Sequence, residues 1–292
     1  MMPAALRDLL VTVTDTYAVV AEHGRPDDMR PSVWEIEGLN GKRWFAKQHV
    51  GPRLHQREVD AYQQWTKALG SDRAPFLAAA DSKERTVVVT AVPGSSLDKL
   101  RLPAEQEREA YRQAGLLLNR LHTADPGQPP SAATETDWDD KLAKLLDGAA
   151  RYVTADEIAM LRSLAKQAPA DLPKVVAHGD YMPKNWMWNE SEQRLRIIDF
   201  ERTQHEPAAR HDLSRLHYRV LHHRLDLAAA FYRGYGRPLS RDEEQALTTY
   251  AAVDALDSVC WGATHHDIDL VDEAHTMIAN LRAECTLRSV GW

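Results

Sequence analysis

The chain has 292 residues, 27% of them charged and 43% hydrophobic, with a formal charge of −7. That length suits one large domain or two closely packed lobes with a substantial core, and the absence of any basic stripe argues against a nucleic-acid partner. Two cysteines, Cys260 and Cys285, make no disulfide framework, which predicts a reducing, cytoplasmic setting. The N-terminus lacks a basic region followed by a long apolar one, and no window approaches ~18 apolar residues, so no membrane span is expected.

In chain order, the first third reads as strands. "TYAVVAE", "SVWEIEG" and "KRWFAKQHV" carry strand formers, and "HGRPDDMRP" between the first two is turn chemistry. Asn40-Gly41 between two alternating runs signals a hairpin whose primed turn needs positive φ at its centre. "PRLHQREVDAYQQWTKAL" follows as one helix with Leu54, Val59, Tyr62 and Trp65 toward one side. "RTVVVTAV" is a buried strand stopped at Pro93-Gly94.

Beyond Gly94 the pattern turns helical. "PAEQEREAYRQAGLLLNRLHTAD" has Pro103 and acids in its first turn, and "PGQPPSAATET" is a loop. "DWDDKLAKLLDGAARYV" and "TADEIAMLRSLAKQ" are helices, the second opened by a capping box from Thr154 to Glu157. A long helix starts at the Ser240–Glu243 box. The expected architecture is α+β, with a small strand-rich lobe over residues 1–92 and a larger helical lobe over 93–292. The hairpin after Val175 travels with the second.

That hairpin, "VVAHGDYMPKNWMWNESEQRLRIIDFERT", holds the densest chemistry in the sequence. Phosphoryl transfer needs one carboxylate to orient the attacking hydroxyl, and an amide oxygen and a second carboxylate to hold magnesium against the phosphates. His178-Gly179-Asp180, then Asn185 five residues after the Asp, then Ile198-Asp199-Phe200-Glu201 supply those groups at the spacing of the kinase signature.

H-G-D-x-x-x-x-N followed by I-D and a downstream D-L resembles the aminoglycoside phosphotransferase and choline kinase superfamily, its antibiotic phosphotransferase branch most closely. "FAKQ", "REVDAYQQW", "TAVPGSSL", "LLLNRLH" and "RHDLSRL" extend the resemblance over most of the chain, in the family's order. It implies a bilobal protein kinase-like fold and transfer of phosphate from ATP or GTP, with Mg2+, to a hydroxyl of a small molecule, an antibiotic before others. It also implies residue roles: Asp180 as catalytic carboxylate, Asn185 and Asp199 as metal ligands, and Lys47 on the phosphates with Glu58 as its partner. Thr90, Ala91 and Val92 would offer backbone to the base, Asp212 would brace the catalytic loop, and His178 would be structural, bonded beneath that loop.

The chain departs from the kinase pattern in two places. No G-x-G-x-x-G precedes Lys47, "HGRPDDMRP" being the one candidate cover, and Glu201 stands where D-F-G has its glycine. Glu201 could touch a second metal or the substrate, and Lys184 could neutralise transferred phosphate or point to water.

Each piece alone has a plainer reading. Asp and Asn in loops usually bond nearby amides, and a strand lysine usually snorkels. Glu37 and Asp60 compete with Glu58 for Lys47. The pairs His222-His223 and His265-His266 diverge on a helix with no cysteine or carboxylate at zinc spacing, so no metal is expected there. Trp186, Trp188 and Trp261 read most simply as core.

For the acceptor, the resemblance implies walls built from helical inserts, here around 132–151 and 250–273, with Asp139, Asp140, Trp261, His265 and Asp267 as candidate contacts. Alternatives to an antibiotic kinase are a choline- or homoserine-type metabolite kinase and a nucleotide-binding pseudokinase serving as an interaction module. The catalytic Asp argues against the last. The sequence is silent on oligomeric state.

Overall fold

The computed structural model describes residues 2–23, 31–124, 137–169 and 171–289. Helix α1 (Ala4–Val11) precedes strands β1 (Tyr17–His23), β2 (Ser32–Gly38) and β3 (Arg43–Gln48). Then come helix α2 (Pro52–Asp60) and strands β4 (Leu77–Asp81), β5 (Thr86–Thr90) and β6 (Ser95–Ser96). Helices α3 (Ala104–His122), α4 (Trp138–Ala149) and α5 (Ala155–Ala165) lead to strands β7 (Lys174–Ala177), β8 (Trp186–Asn189), β9 (Arg194–Ile197) and β10 (Gln204–Pro207). Helices α6 (Ser214–Arg219), α7 (Leu225–Tyr235), α8 (Arg241–Thr264) and α9 (Ile268–Ser289) complete the chain. The class is α+β, strand-rich first and helical later.

The contacts divide the chain into two compact units. One comprises Met1–Gln106, Thr123–Asp125 and His178–Gln204; the other comprises Glu107–His122, Pro126–Ala177 and His205–Trp292. The boundary expected between residues 92 and 93 falls inside the first unit, for a physical reason. Strand β8 pairs with β6 and β9, and the Ile197 amide donates to the Arg73 carbonyl at 2.8 Å, so the β8–β9 hairpin is bonded to the strand-rich part.

In the first unit, five strands form an antiparallel sheet in the order β1-β2-β3-β5-β4. Alternation on β2 and β3 sends Trp34, Ile36, Trp44 and Ala46 to one face, where Leu6 and Leu10 of α1 cover them. The turn between β2 and β3 differs from the expected primed one. The Gly38 amide bonds the Lys42 carbonyl at 2.9 Å, so three residues make the loop, and Gly41 alone has positive φ (71°). That is the three-residue hairpin, a turn closed by a left-handed residue, and Gly supplies it without steric cost. The expected single helix after Gly51 is also interrupted: α2 passes into a π-turn (Ala61–Trp65) and a 3-10 turn (Thr66–Leu69).

In the second unit, both expected capping boxes are present, Thr154–Glu157 opening α5 and Ser240–Glu243 opening α8. Among the described residues no helix is long and apolar enough to cross a membrane.

Candidate active site

The site is built on the two ends of the β8–β9 hairpin. Before β8, His178 and Gly179 turn the chain sharply. Gly179 has φ +81°, and a Cβ there would lie 2.5 Å from the Arg202 carbonyl oxygen, so no other residue fits. The buried His178 ring donates from Nε2 to the Ile198 carbonyl (3.0 Å), and its Nδ1 accepts the Asp180 amide (3.3 Å). One imidazole thus ties the loop before the hairpin to the strand end after it.

Asp180 and Asn185 meet within the loop. The Asn185 side-chain amide donates to the Asp180 carbonyl (2.9 Å) and to Asp180 Oδ2 (3.3 Å), and the Asn185 backbone amide bonds the Met182 carbonyl. Because Asn185 spends its NH2 on Asp180, its carbonyl oxygen is the end left for a hard cation. Lys184 Nζ lies 3.0 Å from Asp180 Oδ2, on a side chain that is half exposed.

After β9, Asp199 sits at φ +68°, a left-handed conformation rare for a side-chain-bearing residue. Its Oδ1 accepts Lys47 Nζ at 2.7 Å, and the same ammonium donates to Glu58 Oε1 at 2.9 Å. Glu58, not Glu37 or Asp60, is therefore the lysine's partner on α2. Both Lys47 and Glu58 are buried, while the Asp199 side chain keeps about a third of its surface exposed. Burial works against the Lys47 charge, but the Asp199 and Glu58 carboxylates outweigh it and hold its pKa well above the usual lysine value. Burial likewise opposes ionisation of Glu58; Lys47 first, then His49, bring its carboxyl down to about 2.

His49 is a member that the sequence did not reveal. Its fully buried ring donates from Nε2 to Glu58 Oε2 at 2.7 Å, so Glu58 is held on both oxygens. Its Nδ1 faces Glu201 Oε2 at 3.7 Å, and neither of those two buried atoms has a hydrogen-bond partner. Burial first, then the nearby Asp199 carboxylate, push the Glu201 carboxyl up to about 7. The π-turn has a consequence here as well: Tyr62 packs edge-on against Phe200, which in turn contacts His178.

At the end of β5, the Thr90 amide donates to the Phe76 carbonyl and the Ala91 amide to the Arg43 carbonyl, each at 2.9 Å. Gly94, at φ +120°, runs so close to Trp188 that a Cβ would meet its backbone at 2.7 Å. Trp186 and Trp188 are core, as expected.

The remaining candidates lie in the second unit. Asp212 is buried and accepts from His122 Nε2 at 3.0 Å, while Nδ1 of the same ring meets the Tyr235 hydroxyl at 2.9 Å. Asp139 and Asp140 are exposed in the first turn of α4, their amides bonded to the capping Asp137. Trp261 is half-buried rather than core, because it stacks on the exposed His265 at 4.2 Å near the end of α8. Asp267 is buried, and its Oδ1 accepts the Leu270 amide in the first turn of α9. Residues 24–30 of the cover candidate "HGRPDDMRP" and 132–136 of the 132–151 segment fall outside the described residues.

A profile of the phosphotransferase enzyme family matches residues 23–255. The chain belongs to that family. Membership makes phosphotransfer its class of chemistry. Three solved structures share the fold of this family member. An aminoglycoside 2'-phosphotransferase-IIIa bound to GDP has TM-score 0.66 and 15% identity, covering 96% of this chain and 98% of its own. Spectinomycin phosphotransferase with ADP and spectinomycin has TM-score 0.64 and 14% identity, covering 97% and 93%. Macrolide 2'-phosphotransferase MphH from Brachybacterium faecium has TM-score 0.57 and 16% identity, covering 94% and 96%. No curated protein sequence matches the chain.

Proposed function

We propose that this chain transfers the terminal phosphate of ATP or GTP, with Mg2+, to a hydroxyl of an antibiotic of the aminoglycoside, macrolide or related classes, giving resistance or self-protection. The observation that carries the reading is the convergence of Lys47, Glu58 and Asp199 within 2.9 Å contacts, in the same unit as the paired Asp180 and Asn185. A structural ion pair has no need of the second feature.

The donor set suits magnesium. An amide oxygen from Asn185 and a carboxylate from Asp199 are hard oxygen ligands, and magnesium keeps several waters beside one or two such groups. When bound, the ion would neutralise charge between the phosphates. Everything else falls to the chain. Asp180 accepts the proton of the acceptor hydroxyl as its oxygen forms a bond to the terminal phosphorus and the bond to the nucleoside diphosphate breaks. Lys47, kept cationic by its two carboxylates, counters charge on the phosphates. The Thr90–Val92 backbone meets the base through its carbonyls and the Val92 amide. Lys184 beside Asp180 is suited to the transferred group, Glu201 to a second metal or the acceptor, and Asp212 to supporting the catalytic loop.

The acceptor walls in this reading come from Asp139, Asp140, Trp261, His265 and Asp267, acidic and aromatic groups that favour a cationic, hydroxyl-rich compound. A nucleotide-consumption screen tests the whole reading: ATP and GTP, with and without Mg2+, against aminoglycosides, macrolides, spectinomycin, choline and homoserine. Turnover with an antibiotic and Mg2+ is expected. Turnover with choline or homoserine alone would make the chain a metabolite kinase, and nucleotide binding without turnover on any acceptor would leave an interaction module.

A further inference from the structure

Away from the residues used above, the second unit gathers two histidines and a carboxylate from three elements. His217 lies on α6, His222 in the single 3-10 turn (Leu221–His223) that follows, and Glu284 on α9. One ligand atom from each lies within 4.8 Å of the other two. We propose that His217, His222 and Glu284 form a binding site for a transition-metal ion of the zinc class.

The class follows from the donors. Two imidazole nitrogens and one carboxylate oxygen suit zinc, cobalt or nickel, whereas magnesium and calcium take oxygen alone. Zinc holds such ligands at ~2.0–2.2 Å, so small side-chain rotations bring the three onto one ion. Three protein ligands leave a fourth position for water.

Two observations favour an ion over a chance meeting of side chains. First, His217 Nδ1 is buried and has no hydrogen-bond partner, an unmet acceptor or donor that a bound cation would engage. Second, the carboxylate is already oriented. The Tyr218 hydroxyl donates to Glu284 Oε2 at 2.5 Å and meets Thr248 Oγ1 at 3.0 Å, and the Tyr218 ring lies nearly parallel to that of His222. An outer partner fixing a ligand in this way is a usual companion of metal sites.

A bound ion would tie α9 to the turn after α6. Because it binds the folded chain alone, it would raise thermal stability with ion concentration. The adjacent pair His222-His223 gives no zinc spacing. The second histidine is five residues earlier, across a helix end, and the carboxylate is 62 residues later.

The test uses the full chain without an affinity tag, stripped by chelator. Zinc is titrated in competition with a chromophoric chelator, melting is followed with and without zinc, and cobalt is used as a spectroscopic probe. Wild type is expected to take up one tight equivalent, melt higher with zinc, and give the intense visible absorption of low-coordinate cobalt. His222→Gln and Glu284→Gln should melt like wild type without metal, yet lose the zinc-dependent rise and more than ~100-fold in affinity. Tyr218→Phe should lose ~10–100-fold, the range for removing an outer partner. Zinc uptake unchanged in both ligand variants would overturn the proposal. So would a wild-type cobalt spectrum identical to that of the hydrated ion, a result that does not depend on any variant folding.

Discussion

Each unit buries a carboxylate against cations, and the two clusters end differently. In the second unit Asp254 receives Arg215 through Nε (2.9 Å) and Nη2 (2.5 Å), and Arg219 through Nη2 (2.9 Å). Arg219 also reaches Ser258, and Asp254 is 5% exposed. Burial resists its ionisation, yet Arg215 and Arg219 hold its carboxyl far below the usual range. That cluster is closed. In the first unit, Lys47 and Glu58 are equally buried, but Asp199 keeps 34% of its side chain exposed and holds a left-handed backbone. Strain and an exposed carboxylate edge add nothing to stability, which is why we read one cluster as working and the other as holding the fold.

The widest separation between the clusters is expected from Asp180→Asn and Asp254→Ala. Asp180→Asn should lower kcat by ~10²–10⁴ with nucleotide affinity and melting little changed, measured by steady-state kinetics and calorimetry. Turnover near wild type would remove Asp180 from the chemistry. Asp254→Ala should do the converse, costing ~3–5 kcal/mol in denaturant unfolding because two arginines lose their buried partner. If that variant unfolded like wild type, the closed cluster would not be a structural element and the contrast would collapse.

His49→Gln sharpens the comparison from inside the first cluster. Glutamine can still donate one bond to Glu58, but it cannot reproduce the ring's rigid placement. We expect KM for the nucleotide to rise several-fold while kcat changes less, since Glu58 acts through Lys47. Loss of stability with unchanged KM would class His49 with Asp254. The smallest effect is expected at the acceptor. The Asp139→Asn, Asp140→Asn double variant should raise KM for the preferred acceptor a few-fold and leave the nucleotide KM alone, because both groups are exposed and screened. If neither constant moves, the two residues are solvated helix-start acids.

How much of this was legible in the sequence depended on separation along the chain. Asp180 and Asn185 belong to one loop, Asp199 closes the next hairpin, and both capping boxes span four residues, so spacing alone located them. Lys47 and Glu58 are eleven residues apart and were paired through the family resemblance, with Glu37 and Asp60 still competing. His49 carried no local signal: its role arises only because the end of β3 and the start of α2 bring its ring onto the second Glu58 oxygen. The same holds for Glu284, which reaches His217 and His222 through packing of α9 alone. The left-handed Asp199 and the π-turn under Tyr62 are products of tertiary contacts that no propensity encodes.

In the proposed reaction, Asp199 holds the metal-bound nucleotide. Isothermal titration of wild type and Asp199→Ala with ATP and GTP, each with and without Mg2+, tests it directly. The wild type should bind nucleotide tightly only with Mg2+, and the variant should lose that magnesium-dependent gain while melting normally. Unchanged Mg-nucleotide affinity in Asp199→Ala would contradict the account and make Glu201 the first carboxylate to examine.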